Sequence, residues 1–473
     1  MDKLIHHLHK KHSMKKIAVI GLGYVGLPLA GLCAKKGYEV IGLERNKEVV
    51  ALLRSGKSHI QDHVVEHLLS EACATGRFYP VNDHTELADC KVYLICVPTP
   101  VDENFDPDLM PLKAAARDIS PYLNRGDLVV VESTVFPGTC EDIVLPILEE
   151  GSGLKIGEDV HFAHCPERVN PGDAFWTSEN IPRVVGATTQ KGVRVAAEFY
   201  KSILGGKILD VRNVRQCLRP KFKLKGNDYE ESHIPLGSVT MMRSIRDAEA
   251  VKAMENTVRD VNIAFVNELA KISDVLNLDV VDVIDGMSTK PFGKGPFFPG
   301  VGVGGHCIAV DPEWLKAASV KAGYVPELIQ LARNTNNSMP TYTINLLQDI
   351  LNDCGYPIKG TTIAVLGVAY KKNVDDGRES PFFEVNKKLQ EKGAEIRVYD
   401  SWIKSKSTVD SLEQALQGAQ AVVIVTDHDN YVSQLKEMNL VEYGIKVVID
   451  GRNCLEGQRI ISQGIVYRGI GRK

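Results

Sequence analysis

The chain begins with alternating apolar runs and short polar turns. Lys15 to Ile20 is an apolar run with the length of a buried parallel strand. A glycine-rich turn, Gly21 to Gly26, follows it, and Leu27 to Lys36 has helical spacing that Gly37 ends. A second strand-like run covers Glu39 to Leu43. The order strand, turn, helix and strand predicts a βαβ unit.

Three further strand-like runs are followed by polar residues at their carboxyl ends. In an open parallel sheet, ligands bind beyond the carboxyl ends of the strands. We therefore expect these polar residues on one ligand-binding edge. The runs and the residues after them are Val92–Val97 with Pro98–Pro100, Leu128–Val131 with Glu132–Thr134, and Val160–Ala163 with Cys165–Glu167.

Residues 246–275 carry apolar side chains at three- and four-residue steps, the spacing of one long amphipathic helix. A helix of about 30 residues is about 45 Å long, enough to join two domains and to pack against its copy in another subunit. We therefore expect a homodimer or a higher homo-oligomer. The apolar positions are Val251, Met254, Val258, Val261, Phe265, Leu269 and Ile272.

The alternation of strands and helices begins again after a helical region that ends near Leu351. It predicts a second α/β domain. The first strand leads into Gly367–Tyr370, which lacks the three-glycine turn, so a second ordinary dinucleotide site is not expected. The expected fold class is α/β, with two Rossmann-like doubly wound domains joined by a long central helix. The strand-like runs are Thr362–Leu366, Glu395–Tyr399, Ala421–Val425 and Val447–Ile449.

Composition and charge narrow the function classes. The 473 residues are 44% hydrophobic and 25% charged, the balance of a folded protein with more than one domain. The formal net charge of −4 argues against a generally basic nucleic-acid binder. No apolar run reaches the roughly 18 residues of a membrane span. We therefore expect an unexported, cytoplasmic protein without a membrane partner.

The ten cysteines have no CxxC spacing, which favours reduced thiols and argues against a zinc cluster. We expect residues 1–13 to form a disordered leader, with metal binding by its four histidines as the alternative. Residues 211–238 include six basic side chains between Arg212 and Lys225. A solvated surface insertion is expected there, and a mobile basic lid or a partner contact is the alternative.

The glycine-rich turn has the features of a dinucleotide-binding fingerprint. It follows a strand and opens a helix, and Glu44 stands about 20 residues on, where an acid binds the ribose hydroxyls. Gly21 permits the tight turn, Gly23 lets the pyrophosphate approach the helix amino terminus, and Gly26 allows close helix packing. The fingerprint predicts NAD. Arg45 leaves NADP open, and a purely structural turn is the other alternative.

Cys307 lies in a second glycine-rich segment, Gly300 to Pro312. Beside a nicotinamide, a thiolate can add to an aldehyde, and the thiohemiacetal can lose a hydride to become a thioester that water cleaves. An unpaired cysteine is more often a small buried hydrophobic residue, which is the alternative. Because of its glycine-rich surroundings, we regard Cys307 as the candidate nucleophile.

Lys252, Asn256 and Arg259 share one edge of the long predicted helix. A charged helix edge is usually solvated. The functional alternative is that Lys252 and Asn256 face a cleft and donate to an oxyanion, as the oxygen of a thiohemiacetal requires.

Two acids also have alternative interpretations. Glu167 is either an ordinary loop acid or a general base whose pKa is raised towards neutrality by burial. Asp311 precedes Pro312 and a helical run, so it is expected to cap that helix. Capping does not exclude catalysis.

Together these segments resemble the UDP-glucose/GDP-mannose dehydrogenase family, the NAD-dependent nucleotide-sugar 6-dehydrogenases. The resemblance covers residues 14–472. Gly304–Cys307 followed by Val310–Pro312 resembles the branch that oxidises UDP-N-acetylhexosamines, with glucosamine or mannosamine as the sugar, rather than UDP-glucose. The segments that carry the resemblance are Gly21–Gly26, Val97–Pro100, Glu132–Val135, Pro137–Thr139, Pro166–Arg168, Lys252, Asn256, Gly304–Cys307, Asp311 and Asp375–Pro381.

Two departures from the family pattern limit the resemblance. The basic segment is longer than the usual connection into the long helix, so its role cannot be transferred. Some UDP-glucose enzymes have a second acid shortly after the Glu167 position, where this chain has Asn170–Gly172. Glu167 is therefore the clearer base candidate.

The resemblance implies an NAD-binding domain, a central dimerisation segment and a UDP-binding domain. The expected boundaries are 1–13 for the leader, 14–210 for the NAD-binding Rossmann domain, 211–238 for the basic insertion, 239–351 for the central helical segment with the cysteine loop, and 352–473 for the UDP-binding α/β domain.

The residues and the resemblance together give three groups of site residues. The catalytic candidates are Cys307, Lys252, Asn256, Glu167, Asp311 and Thr134. The cofactor-binding candidates are Gly21, Gly23, Tyr24, Val25, Gly26, Glu44, Arg45, Thr99 and Thr134. The substrate-binding candidates are Glu167, Arg168, Lys252, Asn256, Arg259, Gly304, Lys371 and Arg378.

Oxidation of a C6 alcohol to a carboxylate removes four electrons, and each NAD takes two, so two NAD molecules are expected in sequence. We expect Lys252 and Asn256 to stabilise oxyanions, Cys307 to hold the aldehyde, and water activated by Glu167 to cleave the thioester. The uronate would serve polysaccharide or glycan precursor synthesis. The alternatives are a two-electron NAD-dependent hydroxyacid dehydrogenase with a structural Cys307, and a non-catalytic nucleotide-binding scaffold.

Overall fold

The computed structural model describes residues 16–60, 62–100, 107–169, 175–217, 221–222, 229–230, 234–290, 296–305 and 307–473. The predicted leader, parts of the basic insertion, residues 291–295 and His306 lie outside the described residues. The chain divides into two compact units, Met1–Met254 and Glu255–Lys473.

The first unit is an α/β domain. Its strands are β1 (Lys16–Ile20), β2 (Glu39–Leu43), β3 (Phe78–Val81), β4 (Val92–Ile95), β5 (Leu128–Val131), β6 (His161–His164), β7 (Arg183–Ala187), β8 (Ile208–Asp210), β9 (Lys221–Phe222), β10 (Tyr229–Glu230) and β11 (Val239–Met241). Its helices are α1 (Gly26–Lys35), α2 (Lys47–Arg54), α3 (His63–Thr75), α4 (Met110–Ile119), α5 (Leu145–Ser152), α6 (Gln190–Leu204) and α7 (Val211–Cys217). The long helix α8 (Ile245–Leu276) begins in this unit and ends in the second.

Most of these strands form one sheet in the order β3-β2-β1-β4-β5-β6-β7-β11-β8. Only the β6–β7 pair in it is antiparallel among the described residues. Successive side chains of β1 enter opposite cores: Ile17 and Val19 pack on one face of the sheet, and Ala18 and Ile20 on the other. Such a strand is apolar throughout because helices cover both faces. The predicted βαβ unit is present as β1, α1 and β2.

The basic insertion lies between two neighbouring strands of this sheet. Strands β8 and β11 pair in parallel, and the chain between them forms α7 and the short antiparallel pair β9–β10. The first sheet therefore includes residues 239–241, which the sequence-based division assigns to the central segment. The basic side chains beyond Arg212, whose guanidinium pairs with Asp210, lie outside the described part of the insertion.

The second unit contains the remainder of α8 and a second α/β domain. Its other helices are α9 (Val280–Ser288), α10 (Asp311–Lys321), α11 (Glu327–Asp353), α12 (Pro381–Glu391), α13 (Leu412–Leu416), α14 (Asp429–Glu437) and α15 (Gly457–Ser462). Its strands are β12 (Thr362–Leu366), β13 (Glu395–Tyr399), β14 (Ala421–Ile424), β15 (Val447–Asp450) and β16 (Val466–Gly469).

These strands form a parallel sheet in the order β13-β12-β14-β15-β16. As in the first sheet, alternate residues of the first strand enter opposite cores, Ile363 and Val365 on one face and Ala364 and Leu366 on the other. The fold class predicted from the sequence is confirmed. Among the helices of the described part of the chain, none is long and apolar enough to cross a membrane.

Candidate active site

The turn between β1 and α1 brings backbone against backbone. Gly21 has a φ of +90°, and a Cβ atom there would lie 2.9 Å from the carbonyl oxygen of Cys96. A Cβ on Gly26 would overlap the carbonyl oxygen of Gly21. At Gly23, by contrast, no described atom lies within 4 Å of the Cβ position. Two glycines therefore close the turn, and the third leaves space open beside the amino terminus of α1.

Glu44, directly after β2, is half-buried and contacts the same turn. Its Oε2 accepts from the Leu22 N–H at 3.2 Å, and its Oε1 accepts from the Asn46 N–H at 3.0 Å. An ionised carboxylate has about four lone-pair sites, so both oxygens can also accept from ribose hydroxyls. The exposed guanidinium of Arg45 lies 3.4 Å from the carboxylate of Asp118.

The other cofactor candidates lie on this turn or at the ends of neighbouring strands. Tyr24 is exposed and Val25 is half-buried in the turn. Thr99, after β4, is buried, and its Oγ1 donates to the carbonyl oxygen of Thr134 at 2.8 Å. Thr134 follows β5, the next strand in the sheet. This hydrogen bond joins two of the polar segments that we expected at one edge.

Glu167 follows β6 and is held by three hydrogen bonds. Its Oε1 accepts from the N–H groups of Arg168 at 2.7 Å and Val169 at 2.9 Å. Its Oε2 accepts from the guanidinium of Arg183, the first residue of β7, at 2.9 Å. Arg183 also donates to Oε2 of Glu132 at 2.8 Å. The side chains of Arg183 and Glu132 are fully buried, and that of Glu167 is 11% exposed.

The pKa of Glu167 is lowered from its ordinary value, whereas the general-base alternative expected it to be raised. Burial by itself raises this pKa, but the charge of Arg183, the N–H groups of Val169 and Arg168, and the charge of Lys252 outweigh it. Of the two alternatives for Glu167, the one with a raised pKa was wrong, because it considered burial alone. Glu167 is therefore ionised at neutral pH and able to accept a proton.

Lys252, Asn256 and Arg259, predicted to share one edge of α8, differ in their exposure to solvent. Lys252 is half-buried, Asn256 is buried, and Arg259 is exposed. The Nδ2 of Asn256 donates to Oδ2 of Asp311 at 2.5 Å. The interpretation as a solvated edge therefore holds at Arg259 and fails at Asn256.

Asp311 is the first residue of α10 rather than its cap. The residue before the helix is Val310, which makes no side-chain capping bond, and Pro312 lies in the first turn as expected. The Cys307 carbonyl oxygen accepts from the N–H groups of Val310 at 3.2 Å and Asp311 at 2.8 Å, so the backbone turns before Asp311. The predicted cap was wrong, and the buried Asp311 carboxylate instead accepts from Asn256.

Cys307 is half-buried, in a loop that packs on the loop after β12. A Cβ on Gly304 would lie 2.9 Å from the Cβ of Tyr370, and one on Gly305 would lie 2.7 Å from the Tyr370 ring. The Gly305 N–H donates to the carbonyl oxygen of Arg378 at 3.0 Å. The glycines are needed for this close approach of the two loops.

Two basic candidates stand on the loop after β12. The Nζ of Lys371 lies 5.7 Å from the centroid of the Tyr370 ring. The guanidinium of Arg378 pairs with Asp376 at 2.7 Å. The pKa of Arg378 is raised, first by the hydrogen bond to Asp376 and, among smaller causes, by the charge of Cys307. The cysteine loop and these two residues therefore form one cluster in the second unit.

Sequence reasoning missed Arg183 and assigned no function to Glu132. Their contact spans 51 positions, and the only local signal is a basic residue at the start of an otherwise apolar strand.

Arg168, a substrate-binding candidate, donates through its guanidinium to the carbonyl oxygen of Pro182 at 3.0 Å. This contact fastens the chain after β6 to the segment that enters β7.

Comparisons with known proteins agree with the geometry. Three profiles of the UDP-glucose/GDP-mannose dehydrogenase family match the chain: the NAD binding domain at residues 15–204, the central domain at 246–338 and the UDP binding domain at 364–457. A UDP-N-acetyl-D-mannosamine dehydrogenase of Pyrococcus horikoshii is 35% identical over 457 residues, 97% of this chain and 99% of that protein. The chain belongs to the UDP-glucose/GDP-mannose dehydrogenase family.

Two further comparisons support this assignment. The solved structure of the Pyrococcus horikoshii UDP-D-ManNAc dehydrogenase has a TM-score of 0.84 to the dehydrogenase described here, covering 97% of this chain and 99% of that one. A UDP-N-acetyl-D-glucosamine 6-dehydrogenase of Salmonella typhi is 35% identical over 389 residues, 82% of each chain. This dehydrogenase is an NAD-dependent oxidoreductase, which removes the alternative of a non-catalytic scaffold.

NAD is the cofactor of the dehydrogenase, and the residues of the glycine turn fit it. The open space at Gly23 admits a pyrophosphate beside the amino terminus of α1. Glu44 has lone pairs left for ribose hydroxyls, and its charge repels a 2′-phosphate. Arg45 is paired with Asp118. These contacts favour NAD over the NADP that Arg45 left open.

Proposed function

We propose that the dehydrogenase oxidises the C6 alcohol of a UDP-N-acetylhexosamine to the uronate through a thioester on Cys307. The observation that carries the proposal is the cluster around Cys307. The loop of Cys307 lies on Tyr370 and near Arg378, and these two residues belong to the range matched to the UDP binding domain. A thiol beside a nucleotide-binding loop suits a covalent sugar intermediate. The names of two relatives, which specify N-acetylmannosamine and N-acetylglucosamine, support the sugar class.

In the first oxidation, Lys252 and Asn256 stabilise the alkoxide that forms when the C6 hydroxyl loses its proton. They stand one helical turn apart on α8, and both carry N–H donors. The amide of Asn256 has two N–H groups, and Asp311 takes one of them. The second N–H has no acceptor among the described residues, and we assign it to the substrate oxygen.

In the second oxidation, the Cys307 thiolate adds to the aldehyde carbon, and the new C–S bond keeps the aldehyde on the protein. Lys252 and Asn256 stabilise the oxyanion of this thiohemiacetal. When bound, NAD supplies the hydride acceptor in each of the two oxidations, so two NAD molecules are reduced per substrate.

Hydrolysis completes the reaction. Glu167 takes a proton from a water molecule that Thr134 and Asp311 orient, and the water oxygen adds to the thioester carbon. The C–S bond breaks, and its electron pair returns to the sulfur of Cys307. The alcohol, one water and two NAD give the carboxylate, two NADH and three protons. We infer that this uronate is a precursor for polysaccharide or glycan synthesis.

We assign binding of the nucleotide sugar to Lys371 and Arg378 in the second unit and to Arg168, Arg259 and the Gly304 backbone. Guanidinium and ammonium groups suit a diphosphate, and arginine can bind it with two parallel hydrogen bonds. A glycine at position 304 also lets the backbone lie close to a bulky ligand.

An NADH-linked assay with UDP-N-acetylmannosamine, UDP-N-acetylglucosamine and, as the control, UDP-glucose tests the proposal. We expect NADH with at least one N-acetylated substrate, at two NADH per substrate consumed, and much slower turnover of UDP-glucose. One NADH per substrate would favour the two-electron hydroxyacid dehydrogenase. No NADH with either N-acetylated sugar would reject the substrate class.

We also infer that the chain forms a homodimer or a higher homo-oligomer. Apolar residues of α8 are exposed in the single chain, with exposed fractions of 51% at Met254, 50% at Val258, 54% at Phe265 and 45% at Ile272. Burial of such a stripe against its copy is favourable. Light scattering should give at least twice the 52.0 kDa mass of the chain, and Phe265→Glu should lower it. A wild-type monomer would reject the inference.

A further inference from the structure

One buried arginine joins two glutamates beneath the ligand-binding edge of the first sheet. Arg183 donates to Glu132 at 2.8 Å and to Glu167 at 2.9 Å. Glu132 follows β5, Glu167 follows β6, and Arg183 begins β7, so three adjacent strands contribute one charged group each. Two carboxylates share one guanidinium, and the charge of each acid therefore affects the other.

The hydrogen bonds of Glu167 show which of its two carboxylate oxygens can accept a proton from water. An ionised carboxylate has about two lone-pair sites on each oxygen. Both sites of Oε1 are taken, by the N–H groups of Arg168 and Val169. Among the described residues, the donor to Oε2 is Arg183, which leaves one site open there. A proton from water would therefore go to the oxygen that Arg183 contacts.

At the other end of the arginine, Glu132 is held by Tyr200. The Tyr200 hydroxyl donates to Oε1 of Glu132 at 2.5 Å, and the guanidinium of Arg183 lies 5.5 Å from the Tyr200 ring centroid. Burial raises the pKa of Glu132 to about 7, with Arg183 lowering it, Glu167 raising it and Tyr200 lowering it. The titratable and charged groups that affect or are affected by Glu132 are Arg183, Glu167, Tyr200, Cys33, Cys96 and Cys165.

We propose that Glu132 and Arg183 are positioning residues for hydrolysis: ionised Glu132 shares the guanidinium of Arg183 and thereby leaves Glu167 the stronger base. This inference rests on the proposed function, in which Glu167 accepts the proton of the hydrolytic water. When Glu132 is protonated, Arg183 neutralises Glu167 alone, and Oε2 holds a proton less well. When Glu132 is ionised, the positive charge is divided between two acids, and Oε2 holds a proton better.

The rate of thioester cleavage should depend on pH. The water proton goes to Oε2 of Glu167, the water oxygen bonds to the thioester carbon, and the C–S electron pair returns to Cys307. Since this rate follows the strength of the base, it should rise by roughly three- to tenfold as the pH passes upwards through the titration of Glu132.

The variant Glu132→Gln tests this directly, because it keeps an acceptor for Arg183 but removes the charge. UDP-N-acetylhexosamine and NAD are mixed with the full chain, the reaction is quenched with acid, and the decay of the acylated chain is followed by intact mass between pH 6 and 8. We expect the decay rate of the acylated wild type to rise with pH. In Glu132→Gln, the decay rate should stay at the slow level found in the wild type at low pH. The first NADH to form should be unaffected.

Asp127→Asn is the matched control. Asp127 precedes β5, the strand that Glu132 follows, and it too is buried and paired, with Lys91 at 3.2 Å. Loss of this ion pair in Asp127→Asn should lower the stability of the protein, but the decay rate of the acylated chain should still rise with pH. Tyr200→Phe gives a second test without loss of charge: the hydrogen bond from Tyr200 lowers the pKa of Glu132, so its removal should move the midpoint of the rise to higher pH.

If the decay rate of acylated Glu132→Gln rose with pH as much as that of the wild type, the inference alone would be overturned. The same holds if the rise with pH were lost in Asp127→Asn. A wild-type chain that never becomes acylated during turnover would overturn the proposed function and the inference with it. The two failures are therefore distinguishable.

Discussion

The two α/β domains place an acid at the same point of the same topology and use it in opposite ways. Glu44 follows β2, which pairs with the first strand of its domain, and Asp400 follows β13, which pairs with β12 in the same manner. Glu44 is half-buried and accepts from two backbone N–H groups. Asp400 is fully buried and accepts from the N–H groups of Val368, Ala369, Trp402 and Ile403 and from the His428 ring.

The turn of the second domain is closed by this carboxylate. The N–H groups of Val368 and Ala369, which follow Gly367, donate to Asp400 at 2.5 and 2.9 Å. Gly367 has a φ of +95°, and a Cβ there would overlap Thr426. In the first domain, no described atom lies within 4 Å of the Cβ position at Gly23. A Rossmann-like fold therefore does not by itself make a dinucleotide site, since the turn residues decide what can bind.

Removal of the buried acid of the second domain should have the largest effect. Asp400→Ala leaves several backbone donors and His428 without their acceptor, so the free energy of unfolding should fall by about 3–5 kcal/mol. Urea denaturation followed by circular dichroism measures it. Asp410→Ala, at an exposed position of the same domain, should change stability by less than about 0.5 kcal/mol. A loss below about 1 kcal/mol at Asp400 would contradict its structural role.

Replacement of Glu44, the acid of the first domain, should affect cofactor binding rather than stability. Glu44→Gln weakens hydrogen bonds to the ribose by about 1.4 kcal/mol, so the KM for NAD should rise roughly tenfold while stability changes little. Steady-state kinetics with varied NAD measures this effect. Glu48→Gln, an exposed change on the adjacent helix α2, should leave the KM unchanged. An unchanged KM in Glu44→Gln would mean that this acid does not bind the cofactor.

The smallest expected effect is a difference in acid stability. Burial raises the pKa of Asp400, but His428 and the backbone N–H groups outweigh it, and the pKa is lowered overall. A lowered pKa stabilises the fold above the unfolded-state value of about 3.9, and this stabilisation is lost as the pH falls below it. The stability advantage of the wild type over Asp400→Asn should therefore shrink between about pH 4 and 2, in urea denaturation at each pH. An advantage that stays constant down to pH 2 would contradict this.

Much of the fold could be predicted because strands buried on both faces are apolar runs and the long helix has regular apolar spacing. The expected run Thr362–Leu366 is strand β12 without a change of boundary, and the expected helix 246–275 is α8, Ile245–Leu276. Strand β16 was not predicted, since Val466–Gly469 is short and includes a polar Arg468. The return of β11 to the first sheet was also not predicted, because it depends on pairing with β7 and β8.

The candidate site could be predicted less well, because its important contacts join distant positions. The Asp311 carboxylate binds Asn256, 55 residues earlier, whereas the local pattern indicated a helix cap. The direction of the Glu167 pKa depends on Arg183, which no local motif connects to it. Sequence motifs identify the residue types of the chemistry, but the charges around them follow from strand order.

In the proposed mechanism, the sugar is held on Cys307 between the two oxidations. The most direct measurement is uronate formation by Cys307→Ser compared with the wild type, with NADH counted per substrate. We predict two NADH per substrate and full conversion to uronate by the wild type, and a loss of uronate of about a thousandfold or more in Cys307→Ser. Uronate formation by Cys307→Ser at the wild-type rate would contradict the thioester mechanism.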